Sequence, residues 1–142
     1  MEKTKTRIGL HHIGLCCRTA ERADRFYGEV LGLEFLGTKS VPAELSRALF
    51  DIDRELPIRN YSNGRLHVEI FLIEDADPAA APPPAHVCLE TDDLACLFER
   101  CRDFGVPVIR TLKGDSWVTF IRDEDGNLFE VKEVKPVSPD FA

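Results

Sequence analysis

Residues 11–35 read HHIGLCCRTAERADRFYGEVLGLEF, and this stretch decides the fold. Apolar residues over 8–17 are flanked by charge and read as a strand. Thr19 is a good helix N-cap, and Ala23, Phe26, Tyr27, Val30 and Leu31 follow at helical spacing. Gly32 stands where a helix-ending glycine would. The same order returns at residues 86–94, HVCLETDDL, where Asp93 is the N-cap of a second helix carrying Leu94, Leu97, Phe98 and Cys101. Each N-cap lies seven residues after a histidine, Thr19 after His12 and Asp93 after His86.

Working outward, residues 33–41 read as a strand, and 65–74 alternate as another. Between them, 46–52 reads as a possible strand and 53–64 as a loop with Pro57 and the turn pair Asn63-Gly64. After the second helix, which ends near Gly105, three strands are expected at about 106–112, 116–122 and 127–134, the last two joined by a solvated acidic turn, Asp123 to Gly126. The Pro/Ala-rich segment 75–84 is the one composition break and reads as a stiff linker. The chain is thus a single domain of two modules, about 7–74 and 85–135, each strand–helix–strand–strand–strand.

An acid ends each module within an apolar strand: Glu69 in Val68-Glu69-Ile70 and Glu130 in Phe129-Glu130-Val131. The histidine-to-acid separation is 57 residues in the first module and 44 in the second, an excess that 42–64 absorbs. Strand alternation puts His12 with Gly14 and Cys16, Glu69 with His67 and Phe71, and His86 with Cys88, all on faces away from the helices. Glu130 turns away from the helix by the same rule, and His11 points to the other face from His12. Trp117 shares a face with Thr119, opposite Val118 and Phe120, and either lines the pocket or belongs to the core. Two imidazoles and two carboxylates suit a divalent transition metal such as Zn, Ni, Co, Mn or Fe. The two carboxylates balance its charge. His12, Glu69, His86 and Glu130 are the candidate ligands; His67, Phe71, Trp117, Cys16 and Cys88 are the candidate substrate-pocket residues.

Composition narrows the partners. The chain has 142 residues with a net charge of -7, which argues against nucleic acid. No run approaches the roughly 18 apolar residues of a membrane helix, and Met1 to Lys5 carries no apolar signal region. Five cysteines without a C-x-x-C fit a reducing compartment, so a cytoplasmic location is expected.

At HHIGLCCRTAERADRFYGEVLGLEF, LHVEIFLIE, HVCLETDDL and DEDGNLFEV the sequence resembles the vicinal oxygen chelate superfamily of glyoxalases, bleomycin-resistance proteins and extradiol dioxygenases. The resemblance implies an α+β fold of two βαβββ modules forming a cupped, incomplete barrel, a homodimer, and a metal role for His12, Glu69, His86 and Glu130. The His–Glu–His–Glu pattern is most similar to glyoxalase I. Cys16 and Ile73 stand where glutathione-dependent members usually have arginine and asparagine, so glutathione is not implied. The expected activity is metal-dependent lyase or isomerase chemistry on a small 2-oxo or α-hydroxycarbonyl substrate, with Glu130 or Glu69 as the base. The alternatives are a sequestering protein of the bleomycin-resistance type and a metal-dependent dioxygenase.

Overall fold

The structure is a computed structural model, and it describes residues 10–75, 86–113 and 115–134, without the side chains of Leu49 and Lys113. The linker at 75–84 falls outside the described residues except for Asp75, as do residues 7–9, 85 and 135 at the module ends.

The first module contains β1 (Ile13–Cys17), α1 (Ala20–Ala23) running on into a π-helical segment (Asp24–Val30), β2 (Glu34–Val41), α2 (Ala43–Phe50), β3 (Leu56–Ser62) and β4 (His67–Leu72). The second contains β5 (Val87–Thr91), α3 (Leu94–Asp103), β6 (Val108–Lys113), β7 (Ser116–Arg122) and β8 (Leu128–Glu133). Each module forms a four-stranded mixed sheet, ordered β1-β4-β3-β2 and β5-β8-β7-β6. In both, the first strand runs parallel to the last, and the other neighbours are antiparallel.

Local chemistry explains the helices. The Thr19 hydroxyl accepts from Arg22 N at 3.2 Å, and the Asp93 carboxylate from Cys96 N at 3.0 Å, so both orphaned helix starts are satisfied. Gly32, at φ 71°, reverses the chain out of the first helix, where a side chain would be strained.

Two expectations for 42–64 are corrected. Residues 43–50 form a helix, not a strand over 46–52. AELSRALF is rich in strong helix formers, Pro42 precedes the first turn, and Asp51 closes the helix in the left-handed region at φ 57°. Residues 56–62 form a strand rather than a loop. Pro57 is tolerated because pairing with β4 begins only at Ile58, so on that side its missing N–H forfeits no ladder bond.

The modules share one core. Cys17, Tyr61, Val68 and Ile70 from the first sheet and Ile121, Phe129 and Val131 from the second pack around Phe26, Tyr27, Val30, Leu97 and Cys101 of the helices. Phe26 stacks on Phe129 with ring centres 5.5 Å apart. This core occupies the helix-side faces of both sheets, so the opposite faces are turned away from it. A smaller apolar cluster of Val41, Leu56 and Ile58 sits on the outer face of the first sheet, with Phe71 packed against it.

Candidate metal centre

Glu69 on β4 is the register partner of Gly14 on β1, and His12 stands two residues before that glycine. The geometry places His12 Nε2 3.2 Å from Glu69 Oε2. The second module repeats it. Glu130 on β8 is the register partner of Cys88 on β5, His86 stands two residues earlier, and His86 Nε2 lies 3.6 Å from Glu130 Oε2. Both contacts are of ion-pair length; two ligands sharing a tetrahedral first-row ion stand about 3.3 Å apart, close to the 3.2 Å of the first pair and shorter than the 3.6 Å of the second.

The two pairs do not meet within the chain. Among the described residues, only Cys17, Asp123 and Asp125 form a group of three or more His, Cys, Asp or Glu whose candidate ligand atoms lie within 4.8 Å of one another. The reason is the shared core: each pair sits on the face turned away from it.

Two further imidazoles, His11 and His67, lie around the first pair. His11 and His12 approach Nδ1 to Nδ1 at 2.8 Å, and the His67 ring centre is 5.8 Å from that of His12. The expectation that His11 faces away from His12 is therefore corrected. Residues 11 and 12 precede the strand, where the two-residue alternation has no force. His67 Nε2 lies 2.9 Å from Oδ1 of the buried Asn60. Phe71 shares this face. Its ring meets Phe50 of α2 edge-on at 5.3 Å and lies over Gly14, where a Cβ would stand 3.1 Å from Phe71 Cε2.

Around the second pair, Phe120 is the register partner of Glu130, and its ring centre is 5.7 Å from that of His86. Phe120 thus takes the place expected for Trp117. Trp117 lies on the helix-side face with Thr119 and Ile121, 57% exposed, beneath the Arg110 guanidinium that also approaches Phe98 of α3. The register of β7 on β8 decides this, and alternation along β7 alone does not. Cys16 is the register partner of Phe71. Desolvation raises the thiols of Cys16 and Cys88, with Asp125 adding at Cys16 and Glu130 at Cys88, so neither is poised as a thiolate nucleophile.

The Asp123–Gly126 turn is only partly solvated, contrary to expectation: Glu124 is exposed, but its two aspartates are not. Asp123 and Asp125 are buried. Asp123 Oδ2 accepts from Tyr27 Oη at 3.0 Å, Asn127 Nδ2 at 2.7 Å and Cys17 Sγ at 3.6 Å, and its Oδ1 accepts from the backbone N–H groups of Asp125 and Asn127. Asp125 Oδ1 accepts from Arg18 N and from the Arg22 guanidinium. Burial pushes the Asp123 carboxyl, the Cys17 thiol and the Tyr27 phenol all upward. A protonated thiol and a carboxylate already encircled by donors make this a latch between the modules, linking β1 and α1 to the β7–β8 turn.

The sequence profile of the Glyoxalase/Bleomycin resistance protein/Dioxygenase superfamily matches residues 9–131. No curated protein sequence matches the chain. Among solved structures, a glyoxalase family protein from Bacillus cereus is 19% identical with a TM-score of 0.69, covering 96% of this chain and 99% of its own. One from Enterococcus faecalis is 18% identical with a TM-score of 0.66, covering 87% and 95%. A FosX fosfomycin resistance protein variant from Listeria monocytogenes, solved in complex with Mn(II) and 1S,2S-dihydroxypropylphosphonic acid, is 15% identical with a TM-score of 0.64, covering 89% and 90%. At these identities the structures speak for the fold, which has two βαβββ modules and no closed barrel. Profile and fold agree: the chain belongs to the Glyoxalase/Bleomycin resistance protein/Dioxygenase superfamily, the vicinal oxygen chelate proteins.

Proposed function

We propose that this chain is a divalent-metal-dependent lyase or isomerase of glyoxalase type, acting on a small oxygen-chelating substrate. The observation that carries the reading is the repetition of one His–Glu geometry in both modules, at 3.2 and 3.6 Å. His12, Glu69, His86 and Glu130 are the proposed ligands, and nitrogen and carboxylate donors suit Zn, Ni, Co, Mn or Fe(II). The Mn(II) in the Listeria FosX variant supports a divalent ion in this fold.

Because each pair lies on a face turned from the core, the four-ligand site requires a homodimer. His12 and Glu69 of one copy meet His86 and Glu130 of a second, giving two equivalent sites. When bound, the divalent ion supplies a Lewis acid that stabilises negative charge on a chelated oxygen of a 2-oxo or α-hydroxycarbonyl substrate. Glu130 or Glu69 takes the proton from the adjacent carbon and returns it to its neighbour. Phe71 and Phe120 give the cup apolar walls that exclude water, and both carboxylates are mostly shielded beside them, with side chains 21% and 17% exposed. No helix among the described residues is long and apolar enough to cross a membrane, and a small molecule in the cytoplasm is the proposed partner.

Metal analysis of protein purified without chelators tests the proposal. About one divalent ion per chain is expected. An empty protein that takes up no Ni, Co or Zn contradicts it. The apolar surface of Phe71 and Phe50 also favours a second reading, a sequestering protein that holds its ligand unchanged. Solvent deuterium entering the carbon beside a substrate carbonyl separates turnover from binding alone.

A further inference from the structure

The two modules build the same sheet with different connections. In the second, β6 ends at Lys113 and β7 begins at Ser116; in the first, β2 ends at Val41 and β3 begins only at Leu56. The added chain forms α2, so the sheet itself does not call for this helix. Two residues after Glu69 stands Phe71; two residues after Glu130 stands Lys132. The register partners of Phe71, Cys16 and Ile58, put it on the same sheet face as Gly14 and Glu69. The first module thus sets an aromatic ring along the strand from its glutamate and brings an added helix against it, where the second sets a lysine.

The contacts run outward from the pair. Phe71 lies against Gly14, whose register partner is Glu69. Phe50, the last residue of α2, meets Phe71 with ring centres 5.3 Å apart and planes at 69°. On this face Val41, Leu56 and Ile58 are buried, whereas Phe50 is 46% exposed and Phe71 only partly buried. A half-exposed phenylalanine forgoes much of the stabilisation that its burial would bring. Two rings at a steep angle leave a corner in which a third ring stacks on one and meets the edge of the other. The corner adjoins the chelating pair, so the group that reaches it is part of the chelated molecule.

We infer that Phe50 and Phe71 hold an aromatic ring carried by the chelated substrate, so that the site prefers an aryl-substituted 2-oxo or α-hydroxycarbonyl compound to its short aliphatic counterpart. The inference rests on the metal reading above and narrows its substrate class. Phe50 is the specificity-determining residue, supplied by the helix that the second module lacks.

The test uses Co(II)-loaded protein titrated with lactate and with 3-phenyllactate. Wild-type protein should bind phenyllactate about tenfold tighter, the worth of burying a ring. Phe50→Ala should cut that preference by about three- to tenfold, the worth of one aromatic pair, with lactate affinity and cobalt uptake unchanged. Alanine is a strong helix former, so α2 persists in this variant. Phe50→Tyr, which keeps the ring, should keep the preference. Leu45→Ala, on the same helix and 47% exposed, should also keep it. Equal affinities in the wild type, or a preference that survives Phe50→Ala, overturn the inference and leave the metal reading intact. An equal loss in Leu45→Ala overturns it by assigning the effect to the helix and not to the ring. A change of oligomeric state in Phe50→Ala overturns it by placing Phe50 between copies. Wild-type protein that takes up no cobalt overturns the metal reading and this inference together.

Discussion

His12 and Glu69 meet at 3.2 Å because a parallel register places Gly14, two residues after the histidine, opposite the glutamate. Cys88 does the same for His86 and Glu130. One geometric rule therefore builds both pairs, and it predicts equal consequences for breaking either. Glu69→Gln and Glu130→Gln should each weaken cobalt binding by at least the roughly 10–100-fold that loss of a supporting partner costs a metal site. Isothermal titration checks this, and a variant with wild-type affinity removes that glutamate from the ligand set.

Gly14 is fitted to Phe71. A Cβ at position 14 meets Phe71 Cε2 at 3.1 Å, so the ring must move aside. Gly14→Ala should lower stability by about 1 kcal/mol, against the gain that alanine normally brings inside a strand. In a Phe71→Ala background that penalty should vanish. Urea unfolding of the two single variants and the double variant measures the coupling.

Trp117 and Phe120 both lie on β7 but on opposite faces of the sheet. Phe120 lies with Glu130 and His86, Trp117 under Arg110 on the helix side. Trp117→Phe should leave cobalt affinity and ligand affinity unchanged within about twofold. Phe120→Ala should weaken ligand binding by about tenfold, the loss expected from removing an aromatic wall of the cup. Titrations of both variants with acetohydroxamate decide it, and a reversed order would put Trp117 in the cup.

Asp123 gives a signed pH dependence. Burial raises its pKa in the folded chain, with the Asp125 charge adding and the Asn127 and Tyr27 hydrogen bonds partly opposing. Folding therefore takes up a proton between the ordinary carboxylate range and the raised value, and this contribution to stability is lost as pH climbs through that window. Asp123→Asn cannot titrate. Its stability relative to wild type should rise as pH climbs above the ordinary carboxylate range, whatever its offset at lower pH. Paired urea titrations across that range check the sign.

The helix caps, every strand except β3, and both His–Glu pairs were legible in the sequence because each depends on short-range pattern: Thr19 and Asp93 cap, Gly32 terminates, and Glu69 and Glu130 interrupt apolar alternation. What was hidden depends on partners far along the chain. The buried state of Asp123 follows from Cys17 and Tyr27, about a hundred residues away, docking onto its turn. The faces of Trp117 and Phe120 follow from the register of β7 on β8, and alternation leaves a choice of two until that register is known. Asn60 was lost inside a segment whose proline reads as a loop, and the vacancy of β4 opposite Pro57 is a fact of pairing, not of composition. In 43–50, helix propensity was the local signal that outweighed the short apolar spacing.

The central claim is that one metal site is assembled from the His12–Glu69 pair of one copy and the His86–Glu130 pair of another. Mixing two inactive variants tests it most directly: His12→Ala/Glu69→Ala, and His86→Ala/Glu130→Ala, unfolded and refolded together. In a mixed dimer of this kind one site has all four ligands and the other has none. Each variant alone should bind no cobalt tightly, and the purified mixed dimer should bind one tight cobalt per dimer. A mixed dimer that recovers no tight cobalt, beside a wild type that binds it, contradicts the shared site.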